Sequence, residues 1–379
     1  MYENADYIVI GSGFFGAVIA ERIANDMQKK VLVVDKNNHI GGNCYSETDS
    51  DTGIEYHKYG THIFHTSNKE VHDYLKQYVE FNSYYHQVLT THRDKVYQMP
   101  INLETINSFF NTTLRPYEVD DFLLQKNKDE IIDSPKNFEE FAISKIGKDL
   151  YEAFIKGYTQ KQWGIEPHLL PASIIKRLPI RKNYNESYFF DTWQGVPKNG
   201  YTDIFKQMLT HKNISLLLNT DYFDIREQIS PNAKVIYTGP IDKFFDYCYG
   251  KLKWRSLRFE NEIIPVEDYQ GTSVMNYADF EIPYTRIHEP KHLHPERDTF
   301  TQPKTLVIKE YSLQDDENPY YPISDHDDKE ILRKYQAKAA ALSNLIIGGR
   351  LGDYSYYDMH HTIEKALSVY TNKIKNGKF

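Results

Sequence analysis

Six residues near the start, Gly11-Ser12-Gly13-Phe14-Phe15-Gly16, constrain this chain more than any other stretch. They follow an apolar run, Asp6-Tyr7-Ile8-Val9-Ile10, that reads as a buried parallel strand. They precede apolar residues at helical spacing (Val18, Ile19, Ile23, Met27), which predict a helix from Phe15 to Met27. A second buried strand follows over Lys30 to Asp35. In that setting each glycine has a task. Gly11 permits the tight turn, Gly13 lets backbone approach a pyrophosphate, and Gly16 lets the helix pack closely on the sheet. The helix N-terminus then turns free N–H groups and a positive dipole end toward phosphate. Asp35 stands at the end of the second strand, where an acid can take a ribose hydroxyl. The alternative is a glycine-rich turn with no ligand. Strand, helix and acid together favour a dinucleotide.

Two later segments bear on which dinucleotide. His39-Ile40-Gly41-Gly42-Asn43 comes soon after Asp35-Lys36, and Gly348-Gly349-Arg350 comes late, after the apolar run Leu345-Ile346-Ile347. Repeated backbone approach suits FAD, a long and retained cofactor, better than an exchangeable nicotinamide. Two ordinary turns are the simpler reading of the same glycines.

The rest of the chain reads as an α/β protein with discontinuous domains. Residues 68–157 carry helical spacing, notably at Asn68–Val79, Asn102–Asn111, Pro116–Leu124 and Asn137–Ile146, and form a helical insertion. Strand-like runs return at Asn213–Leu218 and Ala233–Thr238. Thr272–Met275, Thr285–His288 and Thr305–Tyr311 alternate as in an antiparallel sheet with one wet face. Lys329–Ser343 and His360–Ile374 read as helices, with 314–330 as an acidic surface loop. The expected division is a Rossmann-like domain from 1–67, 213–245 and 329–379, the helical insertion at 68–157, and an antiparallel-sheet substrate domain from 158–212 and 246–328.

Charge and cysteine content narrow the function. There are 45 basic and 53 acidic residues, a net charge of -8, which argues against a general nucleic-acid binder. The two cysteines, Cys44 and Cys248, form neither a CxxC nor a zinc spacing, so a reducing compartment is favoured. No apolar run is long enough to span a bilayer, and the first strand begins too early for a signal peptide. The expectation is a soluble cytoplasmic protein.

Three further groups carry chemistry. Lys176-Arg177-Leu178-Pro179-Ile180-Arg181-Lys182 concentrates positive charge in an acidic protein, and Arg255 and Arg286 sit in apolar or aromatic surroundings. Arginine forks match phosphate oxygens; a solvated basic surface is the bland reading, preferred for Lys182. Tyr158-Thr159-Gln160-Lys161-Gln162-Trp163-Gly164 suits stacking on a base, or the packed end of a helix. The 31 tyrosines pose the same choice between ligand clefts and packing. Tyr59-Gly60-Thr61-His62-Ile63-Phe64-His65 contains paired histidines, but these, like His288, His292 and His294, have no carboxylate or cysteine at ligand spacing, so no metal site is expected. There is no GxSxG, Walker loop or HExxH.

Together these segments resemble the bacterial UDP-galactopyranose mutases. The resemblance runs through the chain, from Gly11–Gly16 and His39–Asn43 to His57–Gly60, His62–Thr66 and Lys156–Thr159. It continues through Lys161–Gly164, Ile174–Arg177, Tyr237–Asp242, Pro283–Ile287, Gly348–Leu351 and Tyr356–His360. The family interconverts UDP-galactopyranose and UDP-galactofuranose for surface glycan synthesis, with no net redox change. It needs reduced FAD, whose N5 attacks the anomeric carbon as UDP leaves, so catalysis is by the cofactor and the protein supplies placement and charge. An external reductant is therefore implied, and a homodimer is common.

By resemblance Arg177 and Arg286 hold the diphosphate and, with His62, form the catalytic group. Tyr158 stacks on uracil, with Thr159 and Trp163 beside it. Tyr188, Tyr311 and Tyr356 approach the diphosphate, and Asn276 and His86 face the substrate. Gly11, Gly13, Phe15, Gly16, Asp35, Lys36, Gly42, Asn43, His62, Ile63, Arg350, Tyr357, Asp358 and Met359 contact the flavin. The segment holding Arg177 is a lid in the family, with hinges expected near Gly157 and Gly195. Three departures stand out: Asp35 for a common glutamate, Thr61 for alanine or proline, and His86 for a substrate-facing asparagine. Changes near the sugar would widen acceptance, for example to an N-acetylated galactose. The competing readings are an FAD oxidoreductase of the amine-oxidase type and a non-enzymatic escort protein on the same fold.

Overall fold

A computed structural model of the chain describes residues 5–128, 132–172, 180–314, 318–377 and 379. Its first sheet is parallel and five-stranded, in the order Leu345–Ile347, Lys234–Tyr237, Tyr7–Ile10, Val31–Val34, Ile214–Leu217. The apolar runs dictate this, because the central strands Tyr7–Ile10 and Val31–Val34 are buried on both faces. Alternation divides one strand between two cores. Tyr7 and Val9 join the cluster of the helix Phe14–Met27, while Ile8 and Ile10 join Ile225 and Ile229 on the other side.

The second sheet has seven strands, in the order Tyr321–Pro322, Trp254–Ile264, Thr305–Leu313, Arg286–His288, Val274–Tyr277, Val88–His92, Lys95–Met99. Two of these strands fall inside the expected helical insertion. Val88–His92 and Lys95–Met99 form a hairpin that extends the sheet through parallel pairing of Leu89 with Met275. Val88, Thr90, Tyr97 and Met99 are buried, whereas Val96 is 55% exposed. The strand therefore shows the period of two that a half-buried sheet imposes.

Of the remaining segment, the helix Lys69–Leu75 packs Val71, Tyr74 and Leu75 into the core of the parallel sheet, and the other helices keep a core of their own. Asn102 and Asn137 cap the helices Leu103–Phe110 and Phe138–Ile146 through their side chains. These helices close over a core that includes Leu103, Ile106, Leu150 and Phe154. Another expected placement changes. The helix Tyr201–Met208 and the strand Trp193–Gly195 fall within 158–212, the range expected in the substrate-side domain. Tyr201, Phe205 and Met208 instead pack in the core of the parallel sheet, and the strand pairs with Phe64–Thr66. Tyrosine, phenylalanine and methionine on one helix face needed an apolar partner, and the parallel sheet offers it.

Gly157 and Gly195, expected as hinges, are explained by close approach. A Cβ on Gly157 would lie 2.4 Å from the Ala278 carbonyl oxygen, and one on Gly195 would lie 2.6 Å from that of Asn82. Among the described residues no helix is long and apolar enough to cross a membrane.

Candidate active site

The two sheets and the helical segment wall a single large cavity of about 1930 Å³. An ordinary small-molecule pocket spans roughly 300–1,000 Å³. This one has room for two ligands end to end.

At one end lies the glycine turn. Gly11 has φ +102°, and a Cβ there would sit 2.0 Å from Thr238 Oγ1. A Cβ on Gly16 would sit 2.0 Å from the Gly11 carbonyl oxygen. No side chain caps the helix that starts at Phe14, so its first-turn N–H groups are available to phosphate oxygens. Gly42 meets this turn from the opposite side, with its Cβ position 3.1 Å from Gly13 Cα. Asp35 does more than wait for a ribose. Its Oδ2 accepts from Ser12 N at 2.8 Å and Ser12 Oγ at 2.6 Å, and its Oδ1 accepts from Asn37 N at 2.9 Å. The acid therefore also orders the turn.

Further along, the wall becomes cationic and aromatic. The Arg350 guanidinium lies 4.9 Å from the Tyr321 ring centroid and 4.7 Å from that of Tyr356. Arg286 Nη2 donates to the Tyr158 hydroxyl, and Arg286 Nε makes a 3.3 Å ion contact with Glu310 Oε1. Burial opposes charge on Arg286, but Glu310 together with Tyr158, Tyr321 and Tyr188 outweighs it and keeps the guanidinium charged. Burial also opposes charge on Glu310; Arg286, with His288, holds that carboxyl below its usual range.

The helix Gly157–Trp163, which carries Tyr158, Thr159 and Trp163, is anchored at its C-terminal end by two cations. Lys161 Nζ donates to the carbonyls of Tyr277, Asp279, Ile282 and Tyr284 at 2.7, 2.8, 3.0 and 3.0 Å. Arg255, considered above as a phosphate ligand, instead donates to the carbonyls of Gln162 and Lys161 at 3.0 and 3.3 Å and to Ser312 Oγ at 2.9 Å. It closes the end of that helix, where the last carbonyls lack partners.

Every residue expected at the site lies on this cavity except two. Arg177 falls outside the described residues. Tyr311 points away from it. Its hydroxyl donates to Glu260 Oε2 at 2.7 Å and its ring lies 4.1 Å under Arg258. The strand's alternation explains this, since Glu310 occupies the cavity face and its neighbour must take the other. Tyr320 and Tyr321 line the cavity instead.

Reading the sequence also missed Glu310 and His288. The carboxylate that His288 meets is not its chain neighbour Glu289; the sheet register sets Arg286 opposite Glu310, with His288 on the same face two residues on. Among the described residues two groups bring metal-capable atoms within 4.8 Å of one another: His65, Asp358 and His360, and Asp268, Glu289 and His292. Hydrogen bonds already occupy both, including His65 Nδ1 to Asp191 at 2.6 Å and His292 Nε2 to Asp268 at 3.1 Å.

Several cavity residues hold buried polar atoms without a partner: Arg350 Nε and Nη2, Asn276 Oδ1 and Gln162 Oε1. Such atoms cost about 1–3 kcal/mol each when left unsatisfied. With the glycine cradle they fit a long polar dinucleotide such as FAD together with a second anionic ligand.

Two cavity histidines are neutral. His62 Nδ1 donates to the Gly60 carbonyl at 2.6 Å, which leaves Nε2 as an acceptor. Burial pushes its pKa down to about 4, and burial also pushes His86 down to about 3. Both values lie below the unfolded reference, so the unfolded chain binds these protons first. Their stability is complete above pH ~6.5 and is lost as pH falls toward 4, on the order of 2–3 kcal/mol per group. We expect the urea midpoint to drop between pH 7.5 and 4.5, and to drop less in His86→Asn. An equal drop in both proteins would contradict the assignment.

Comparison with known proteins adds the following. A family model described as UDP-galactopyranose mutase matches residues 153–356, and one described as an NAD(P)-binding Rossmann-like domain matches residues 9–78. A probable UDP-galactopyranose mutase of Klebsiella pneumoniae is 44% identical over 369 residues, covering 97% of this chain and 94% of the relative. A dTDP-fucopyranose mutase of Escherichia coli is 40% identical over 377 residues, covering 98% and 99%. The crystal structure of a reduced UDP-galactopyranose mutase superposes with a TM-score of 0.76 at 13% identity, covering 99% of this chain and 95% of the other.

Proposed function

Because the chain belongs to the UDP-galactopyranose mutase family, we propose that it interconverts UDP-galactopyranose and UDP-galactofuranose on reduced FAD. The observation that carries this reading is the two-ended cavity, with a phosphate-binding glycine turn at one end and Arg286, Arg350 and tyrosines along the other wall. The residues support a non-redox isomerisation with a diphosphate leaving group.

Bound FAD in its reduced form would supply the nucleophile for the anomeric carbon. The chain's own residues do the rest. Gly11, Gly13, Gly16 and Gly42 hold the cofactor pyrophosphate by close backbone approach. Arg350, Asn43, Ile63, Tyr357, Asp358 and Met359 embrace the flavin half. Arg286, charged through its pairing with Glu310, neutralises the diphosphate as the sugar–phosphate bond breaks, which lowers the barrier for a developing anion. Tyr158 sits beside Arg286 and offers a ring to the base; Thr159 and Trp163 complete that wall. Neutral His62 offers an acceptor rather than a charge, so it does not compete with Arg286 for the leaving group. Arg177 enters the proposal as a second diphosphate ligand on resemblance alone.

A second reading concerns the sugar and base, because one relative of nearly full length carries the name dTDP-fucopyranose mutase. His86, 6% exposed with Nδ1 at 3.0 Å from the Tyr84 hydroxyl, stands by resemblance where a substrate-facing asparagine is common, and on that ground alone would meet an N-acetylated sugar. The test is a panel of nucleotide furanoses given to the reduced enzyme and resolved by chromatography. UDP-galactofuranose is expected to turn over at least tenfold faster than dTDP-fucofuranose or the N-acetylgalactosamine analogue. The reverse order would move the assignment to the other sugar. The remaining parts of the proposal are a three-part discontinuous domain arrangement, a homodimer, a cytoplasmic setting, a cellular reductant and a surface glycan as destination.

A further inference from the structure

Arg286 does not stand alone. Its partner Glu310 is 2% exposed, and on the far side Glu310 Oε2 lies 3.0 Å from His288 Nε2. His288 is likewise 2% exposed, and its Nδ1 lies 2.8 Å from Thr61 Oγ1. Thr61 belongs to the loop that carries Gly60 and His62. We propose that His288 is a positioning residue for the diphosphate arginine, and that Thr61 connects the histidine loop to it through a buried chain running Thr61, His288, Glu310, Arg286.

The proton pattern follows from the acceptors. An ionised carboxylate can only accept, so His288 Nε2–H donates to Glu310. On its other side the ring meets the Thr61 hydroxyl through Nδ1 at 2.8 Å. Thr285 Oγ1 adds a further contact to Glu310 Oε1 at 3.3 Å. Two donors and the ion contact hold the carboxylate in one orientation, and that orientation sets where the Arg286 fork lies. Buried networks of this kind are rigid when fully satisfied and lose their alignment when one member goes.

This inference rests on the diphosphate reading above, and its test separates the two. Affinities of UDP and of uridine for the FAD-loaded enzyme would be measured by calorimetry. His288→Leu is expected to weaken UDP about tenfold and leave uridine unchanged, because Arg286 acts on phosphate and not on the base. His288→Gln, which keeps a donor toward Glu310, is expected to stay within threefold of wild type. Thr61→Val is expected to weaken UDP about threefold. In an Arg286→Ala background His288→Leu is expected to have no further effect. Equal loss for UDP and uridine, or additive losses with Arg286→Ala, would overturn the positioning role. Should His288→Leu not fold, Thr61→Val carries the same comparison, and unchanged UDP affinity there overturns the proposal. Wild-type enzyme that binds no UDP would instead take down the reading on which it rests.

Discussion

Replacing Arg286 with alanine is expected to lower kcat/KM at least a hundredfold, a loss of ~3 kcal/mol of transition-state stabilisation, while FAD stays bound. The magnitude is that of removing one preorganised charge from where negative charge develops. Arg350 cannot take its place, since it is held between Tyr321 and Tyr356. The substitution also strands Glu310, whose side chain is 3% exposed. An unpaired buried carboxylate costs about 3 kcal/mol or more, so the melting temperature is expected to fall with activity. Arg286→Lys separates the two effects. It keeps a charge beside Glu310 and preserves the fold, but it lacks the planar fork and is expected to recover only part of the rate. Near-normal turnover in Arg286→Ala would contradict the assigned role.

Gly16→Ala is expected to cut bound flavin below a tenth of the wild-type content and to destabilise the protein by ~1–3 kcal/mol. The added Cβ would collide with the Gly11 carbonyl oxygen at 2.0 Å and touch Val9 Cγ1 at 3.0 Å. The atom it strikes is the backbone of the phosphate turn itself, so it cannot move aside without moving the turn. The helix must back away, and its N–H groups leave the pyrophosphate. Gly53→Ala is the control. Gly53 also has positive φ, +68°, but its nearest neighbour is Thr299 Cγ2 at 3.7 Å, and it does not line the cavity. That variant is expected to lose ~1 kcal/mol from backbone strain and to keep its flavin, read from the ratio of visible to ultraviolet absorbance. Full flavin content in Gly16→Ala would contradict the cradle.

The parts of this protein set by local rules were legible in its residues. The glycine turn, its flanking strand and helix, and the Asn-capped helices at 103–110 and 138–146 depend on neighbours in sequence. What eluded reading depended on pairing between distant strands. Val88–Met99 lies within the stretch expected as a helical insertion, and its strands extend the sheet through the pairing of Leu89 with Met275. Tyr311 was placed at the site because its resemblance was positional, yet alternation along its strand gives the cavity to Glu310. His288 seemed unsupported because its carboxylate lies 22 residues away and arrives only through the sheet register. Arg255 reads as a phosphate candidate because a guanidinium fork lies in an apolar and aromatic stretch, and what the fork meets is the end of a helix.

The central claim is that this cavity performs a non-redox isomerisation that depends on a reduced flavin. The most direct measurement follows conversion of UDP-galactofuranose by the purified yellow protein, before and after dithionite, with product ratio read by chromatography. The account predicts negligible conversion by the oxidised protein and rapid approach to equilibrium once reduced, with no net consumption of reductant. Equal activity in both states, or reductant consumed in step with product, would contradict it.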